Sequence, residues 1–298
     1  MVLPSSLPKD LYRSTKNFLL MNSSKLKTIY SYVTACMENP RIRMSEFHKK
    51  YSHYNWYNAT SRLIKEAREK GILFGPKIWC NSGLDVELYG NIDDPLLFAE
   101  KKKKEPNITY LTGLIGYPSI ICFKKGASIL QYAETVIPSY PAKKTIAEIN
   151  LEIKGELPRD EYPQRWDEMD WDVYERIRDP QASFVKAGKG LGVKWTTILN
   201  HFKKIKKDCK IWIRFLPKGY DRYQQSYVLF ETEYELGLRE ELKKLDRTTI
   251  LYKFENKVLL HLFLDDTLQN LTFYKLKRKG KIHNLQVSIP LYWNSKYF

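Results

Sequence analysis

ENPRIRMSEFHKKYSHYNWYNATSRLIKEAREKGIL, residues 38–73, decides the fold. Pro40 ends a helix expected over Lys25–Asn39, where Leu26, Ile29, Tyr30, Val33 and Met37 recur at helical spacing. A short second helix is expected from Met44 to about Tyr51. After a turn through Ser52 to Asn55, a third helix carries Trp56, Ala59, Leu63 and Ala67 along one apolar line and stops at Gly71. ILFGPKIWCN then reads as two short strands around Gly75-Pro76. Three helices and a hairpin make a winged helix.

Working outward, LDVELYG alternates like a strand and DDPLLFAEKKKKE reads as a helix. NITYLTGL and SIICFKKG form an expected hairpin around Gly116-Tyr117-Pro118, ASILQYAETV reads as a helix, and TIAEINLEI as a last strand. That order is β-α-β-β-α-β, the ferredoxin-like plan.

The polar, proline-bearing KGELPRDEYPQRWDEMD reads as a linker, after which the plan restarts. Trp171–Arg178, Ser183–Gly188 and LGVKWTTILNHFKKIKK are the expected helices, the last with Trp195, Ile198, Phe202 and Ile205 on its apolar line. KIWIRFLPKGYDRY is the wing region. SYVLFET, YELGLREELKKL, TTILYKF, KVLLHLFL, DDTLQNLTFYKLK and HNLQVSIPL repeat the β-α-β-β-α-β order. An internal duplication with a displacement of roughly 140 residues explains this agreement. The fold class is therefore α+β: two winged helix-turn-helix domains, each followed by a ferredoxin-like βαββαβ domain. The expected boundaries are an N-terminal extension 1–22, winged helix 23–82, ferredoxin-like domain 83–155, linker 156–168, winged helix 169–223 and ferredoxin-like domain 224–298.

The 298 residues carry 50 Lys plus Arg against 34 Asp plus Glu, a formal net charge of +16, which favours an anionic partner. Both halves contribute: 23 basic and 14 acidic residues through Gly155, 27 and 20 after it. Cys36, Cys80, Cys122 and Cys209 are far apart in sequence and form no C-x-x-C pair, so neither a zinc site nor a disulfide framework is suggested. The N-terminus lacks the apolar core of a signal peptide, and no stretch approaches 18 apolar residues. A cytoplasmic protein without membrane partners is expected.

The run over residues 38–73, with DPQASFVKAGKGLGVKWTTILNHFKKI in the second half, resembles the Lrp/AsnC (feast/famine) family of transcription regulators. In that family a winged helix is joined to a ferredoxin-like ligand-sensing domain. The resemblance spans nearly the whole chain and implies a covalent pseudo-dimer whose ferredoxin-like domains pair within one chain. It also implies double-stranded DNA as partner and a possible small-molecule effector. Gly113, Gly116 and Tyr117 resemble the glycine-bearing strand connection at which effectors bind in that family.

Base reading needs a groove-sized helix with polar side chains, and phosphate binding needs cations. The third helix of each winged helix supplies both. In the first half the expected DNA-binding residues are Asn55, Tyr57, Asn58, Ser61, Arg62 and Lys65, with Arg41 and Arg43 nearby. In the second they are Lys189, Lys194, Thr196, Thr197, Asn200, His201, Lys203 and Lys204. Lys77, Lys210, Arg214, Lys218 and Arg222 are weaker wing candidates. The buried-looking aromatics Tyr110, Phe123, Tyr132, Phe230 and Phe263 read as core.

An enzyme is the alternative, because the same domain pairing resembles siroheme decarboxylases; a non-specific nucleic-acid-binding architectural protein is another. Of His48, His53, His201, His261 and His283, none forms a metal-ligand pair at helical spacing, and His261 on an apolar strand reads as core. With no Ser/His/Asp set, phosphate-cradling glycine loop or carboxylate pair, the expectation is a non-enzyme with neither cofactor nor metal.

Overall fold

A computed structural model describes residues 21–126 and 129–295; most of the expected N-terminal extension lies outside them. The first half begins with α1 (Ser23–Glu38), α2 (Met44–Tyr51) and α3 (Tyr57–Glu69). Asn22 caps α1 by accepting from the Lys25 N–H. Ile29, Val33, Phe47, Leu63 and Ile64 close the bundle. The second half repeats it as α5 (Glu168–Arg176), α6 (Phe184–Leu191) and α7 (Trp195–Ile205), packed through Val173, Ile198, Phe202 and Ile205.

The wing strands depart from the hairpin expected around Gly75-Pro76. Residues 73–79 form one strand, β1 (Leu73–Trp79), and residues 210–215 form another, β6 (Lys210–Phe215), and the two pair with each other antiparallel. Gly75 makes an irregularity instead of a turn. It sits at φ +91°, and a Cβ there would lie 2.6 Å from the Trp212 carbonyl oxygen. Ile213 and Phe215 of β6 complete the core of the first bundle, whereas Ile78 of β1 joins the second. Each three-helix unit thus takes core residues from both wing strands, with Leu73 of β1 also in the first and Ile211 of β6 packed on the second.

Beyond β1 the first ferredoxin-like unit runs β2 (Leu84–Tyr89), α4 (Pro95–Lys102), β3 (Ile108–Gly116) and β4 (Ile120–Lys125). Two expected elements are then corrected. The first two residues of the expected helix ASILQYAETV lie outside the described residues, and within the rest Leu130–Val136 is a strand, β5. The expected strand TIAEINLEI is a single 3-10 turn at Ile146–Glu148 followed by coil. Local spacing is ambiguous in the first case; in the second, Ile146, Ile149 and Leu151 bury their side chains in the apolar core of the second unit without joining a sheet.

The second unit is complete: β7 (Gln224–Glu231), α8 (Glu235–Leu242), β8 (Thr249–Phe254), β9 (Lys257–Leu264), α9 (Leu271–Arg278) and β10 (His283–Ser295). All but the wing strands form one eight-stranded sheet, ordered β2-β4-β3-β10-β7-β9-β8-β5. β10 spans the halves, pairing β7 through its first part and β3 through its second. β5 crosses to pair with β8. Alternation then sorts side chains. Val228, Phe230, Leu260 and Leu262 meet α8 and α9 on one face, while Tyr227, Leu229, Leu259, Ile250 and Tyr252 share an interior with Leu114, Ile121 and Phe123 of the first unit. Trp79 and Trp212 stack at 5.5 Å inside it. Among the described residues, no helix is long and apolar enough to cross a membrane.

Candidate active site

Where the wing strands meet the interior faces of the sheet, a cavity of about 320 Å³ remains. β6 supplies Arg214, β7 supplies Gln225 and Tyr227, β9 supplies His261, β8 supplies Tyr252, and β3 of the other half supplies Tyr110. Strand register explains the grouping. Tyr227 and His261 are direct cross-strand partners, and Gln225 lies two residues along β7 on the same face.

The His261 and Tyr227 rings stack at 4.3 Å with 17° between planes. Nε2 of His261 lies 2.9 Å from Gln225 Oε1, an oxygen that also accepts from the Tyr220 hydroxyl at 3.0 Å, so the imidazole donates from Nε2. Burial, reinforced by the Arg214 cation, pushes the His261 pKa down to about 3, which leaves the ring neutral near pH 7. The Tyr110 and Tyr227 hydroxyls meet at 2.5 Å. Burial raises Tyr110 to about 12 and raises Tyr227 and Tyr252 as well, so these phenols hold their protons.

Arg214 is the charged member. Its guanidinium lies 4.4 Å from the Phe74 ring centroid, and burial lowers its pKa. Among the described residues none forms an ion pair with it, and the groups that favour its charge are Tyr220, Tyr252, Tyr110 and Tyr227, all phenols. It is half-buried and lines the cavity. A desolvated guanidinium without a carboxylate costs several kcal/mol, roughly the penalty for burying one unpaired ion, unless an anion completes it. A planar carboxylate matches its fork. The arrangement can therefore hold a carboxylate in a largely aromatic chamber beside neutral proton donors.

The residues singled out in the sequence lie elsewhere. Arg43, Asn55, Tyr57, Asn58, Arg62 and Lys65 are exposed around α2 and α3, with Ser61 half-buried. Arg41 instead points its guanidinium at the Pro180 and Ala182 carbonyls and stacks 3.7 Å from Phe184, at the contact between the two bundles. Lys189, Lys194, Thr196, Asn200 and Lys203 are exposed on or beside α6 and α7, with Thr197 half-buried. His201 Nδ1, at 2.6 Å, and the Lys204 ammonium both engage the buried Asp170 carboxylate. Asp167, Asp170 and His201 bring possible metal-ligand atoms within 4.8 Å of one another. Lys204 and a reciprocal Asp167–Asp170 helix cap already satisfy that cluster.

Gly113 lies within β3 beneath the Pro95 carbonyl, and Gly116 and Tyr117 form the turn to β4. None of these three lines the cavity. Trp56 and Trp195, read as apolar-line residues, are 77% and 51% exposed because they stand at the N-terminal ends of α3 and α7, ahead of the packed turns. Of the wing candidates, Lys210 pairs with Asp160 at 2.6 Å and Lys218 with Asp265 at 2.6 Å, whereas Arg214 enters the cavity. From the sequence, His261, Tyr110 and Tyr227 are legible only as core. The signal that could have found them is polarity on inward positions: Gln225, Tyr227 and His261 interrupt otherwise apolar strand faces.

No protein-family model and no curated relative matches the chain. Two solved structures do. A crystal structure of the siroheme decarboxylase NirDL is 10% identical, with a TM-score of 0.55, over 92% of this chain and 94% of that one. The same enzyme in co-complex with an iron-uroporphyrin III analogue is 9% identical, with a TM-score of 0.51, over 90% and 92%. At such identities the likeness establishes the fold. It also corrects the expectation of a non-enzyme: both matched structures are of a decarboxylase, so the duplicated winged-helix and ferredoxin-like architecture does not mark a non-catalytic protein.

Proposed function

We propose that this chain is an enzyme that binds a planar, conjugated, carboxylate-bearing molecule of the tetrapyrrole class and removes a carboxylate as carbon dioxide. One observation carries the reading: among the described residues Arg214 is desolvated and has no carboxylate partner, in a chamber whose other inward polar groups are neutral. Likeness of fold to a siroheme decarboxylase, also solved with an iron-uroporphyrin III analogue, supports the substrate class.

Arg214 holds the carboxylate, and exclusion of water destabilises its charge. The bond between the carboxyl carbon and its side-chain carbon breaks, and the electron pair stays on the latter, delocalised into the conjugated ring. A proton from the Tyr110–Tyr227 pair completes the new C–H bond, and solvent restores it. The cavity, at about 320 Å³, suits one carboxylate arm and its adjoining ring. The remaining macrocycle would lie at the mouth, where the exposed lining residues are Arg68, Glu69 and Asp221.

Titration with the iron-uroporphyrin III analogue, followed by its visible absorption, tests binding. A saturable spectral shift that is lost in Arg214→Met supports the proposal, and an unchanged spectrum opposes it. A second reading, a cytoplasmic regulator that grips duplex DNA and answers to a small effector, is favoured by the exposed cations of α3 and α7 on a chain of net charge +16. It requires salt-dependent duplex binding weakened by Arg62→Ala.

A further inference from the structure

The wing-strand pair ends in two cysteines. Trp79 stands opposite Lys210 in the antiparallel register of β1 and β6, so Cys80 and Cys209 are the next pair along. Cross-strand neighbours have Cα atoms about 4.5 to 5.5 Å apart, inside the range of about 4.4 to 6.8 Å that a disulfide spans. The Cys80 thiol, and then burial, raise the Cys209 pKa, so the two side chains act directly on each other. Both are free, and both belong to the core cluster of the second bundle, with Cys80 buried and Cys209 half-buried. Both also line a groove of about 610 Å³ beside Tyr162 and Lys207, where the half-buried Cys209 is open to a small oxidant and Cys80 is 1% exposed. Cys36 and Cys122 are buried in other cores, Cys36 in the first bundle and Cys122 beneath α4.

We infer that Cys80 and Cys209 form a reversible dithiol–disulfide pair that peroxide closes, covalently joining the two halves of the chain at the β1–β6 seam. One sulfur, as thiolate, attacks the peroxide O–O bond and becomes a sulfenic acid, releasing hydroxide that is protonated to water. The other displaces a second hydroxide from that sulfur and forms the S–S bond. Two thiols lose two hydrogens, and one peroxide becomes two waters. Small-molecule thiols reverse the step by exchange. The consequence reaches the cavity, because Phe74 on β1 and Arg214 on β6 lie on the strands that the bond would tie together. Oxidation would hold that strand pair in its closed register.

The full-length folded protein, treated with hydrogen peroxide, alkylated and digested without reductant, tests this by mass spectrometry. The expected product is a Cys80 peptide joined to a Cys209 peptide, lighter by two hydrogens than the separate pair and released by dithiothreitol, with Cys36 and Cys122 alkylated. The oxidised protein should melt at a higher temperature and return to its original midpoint on reduction. Cys80 and Cys209 recovered separately, whether alkylated or oxidised one by one, or a linkage to Cys36 or Cys122, would overturn the inference. None of these readouts depends on the enzyme's substrate.

Discussion

The Tyr110 and Tyr227 hydroxyls, one from each half of the chain, meet at 2.5 Å across the interior of the sheet. Their strands are separated only by β10, which pairs with both. A polar pair therefore joins the halves where the cavity lies.

Tyr227→Phe removes this hydroxyl and leaves its stacked ring. The cost to stability should be about 1 to 2 kcal/mol, the usual value for one lost buried hydrogen bond. If the pair relays the catalytic proton, kcat should fall by roughly 10² to 10⁴ with KM little changed. Steady-state kinetics beside thermal melts separate the two effects, and a proportional rise in KM with kcat intact would make Tyr227 a binding group instead.

Arg214→Met should behave in the opposite way. Removing a half-buried cation that lacks a carboxylate should leave stability unchanged or raise it. Affinity for a carboxylated ligand should drop at least tenfold, or about 1.4 kcal/mol. Denaturant unfolding and ligand titration check both arms. A strongly destabilised variant would show Arg214 to be structural.

His261 makes the fold sensitive to acid. Its folded pKa is depressed to about 3 against an ordinary value of 6.5, so the unfolded chain binds the extra proton first. The stabilisation is present above the unfolded pKa and is lost as pH falls toward the folded one. Between about pH 6.5 and about pH 4.5 the loss should approach about 2 to 3 kcal/mol. His261→Gln, compared with the parent by urea unfolding at both pH values, should remove that much of the pH dependence; equal slopes in the two proteins would refute the assignment.

Gly116 is required by the seam between β3 and β10. Its φ is +112°, and a Cβ would stand 2.7 Å from the Val287 carbonyl oxygen, a backbone atom that cannot step aside. Gly116→Ala should cost about 1 to 3 kcal/mol, measurable as a lowered thermal midpoint. A neutral substitution would mean that the turn relaxes.

Much of the fold is legible in the sequence because helical spacing and alternation are local. Leu63 and Ala67, or Val258 and Leu260, announce their faces through their neighbours. Pairing between distant segments is not. Nothing in Leu130–Val136 shows that its partner is β8, so a strand joining the other half reads locally as a helix. Likewise Gly75-Pro76 reads as a turn where β1 runs on to meet β6. The site is hidden for the same reason. Tyr110, Arg214 and His261 are far apart in sequence, and each alone resembles ordinary core or wing chemistry until the sheet brings them together.

The most direct test incubates the purified protein with siroheme and follows the tetrapyrrole by mass spectrometry. The account predicts loss of carbon dioxide from the substrate by the parent protein and by Arg62→Ala, and no loss with Arg214→Met. Siroheme recovered intact with the parent protein, alongside duplex DNA binding that Arg214→Met leaves untouched, would contradict it.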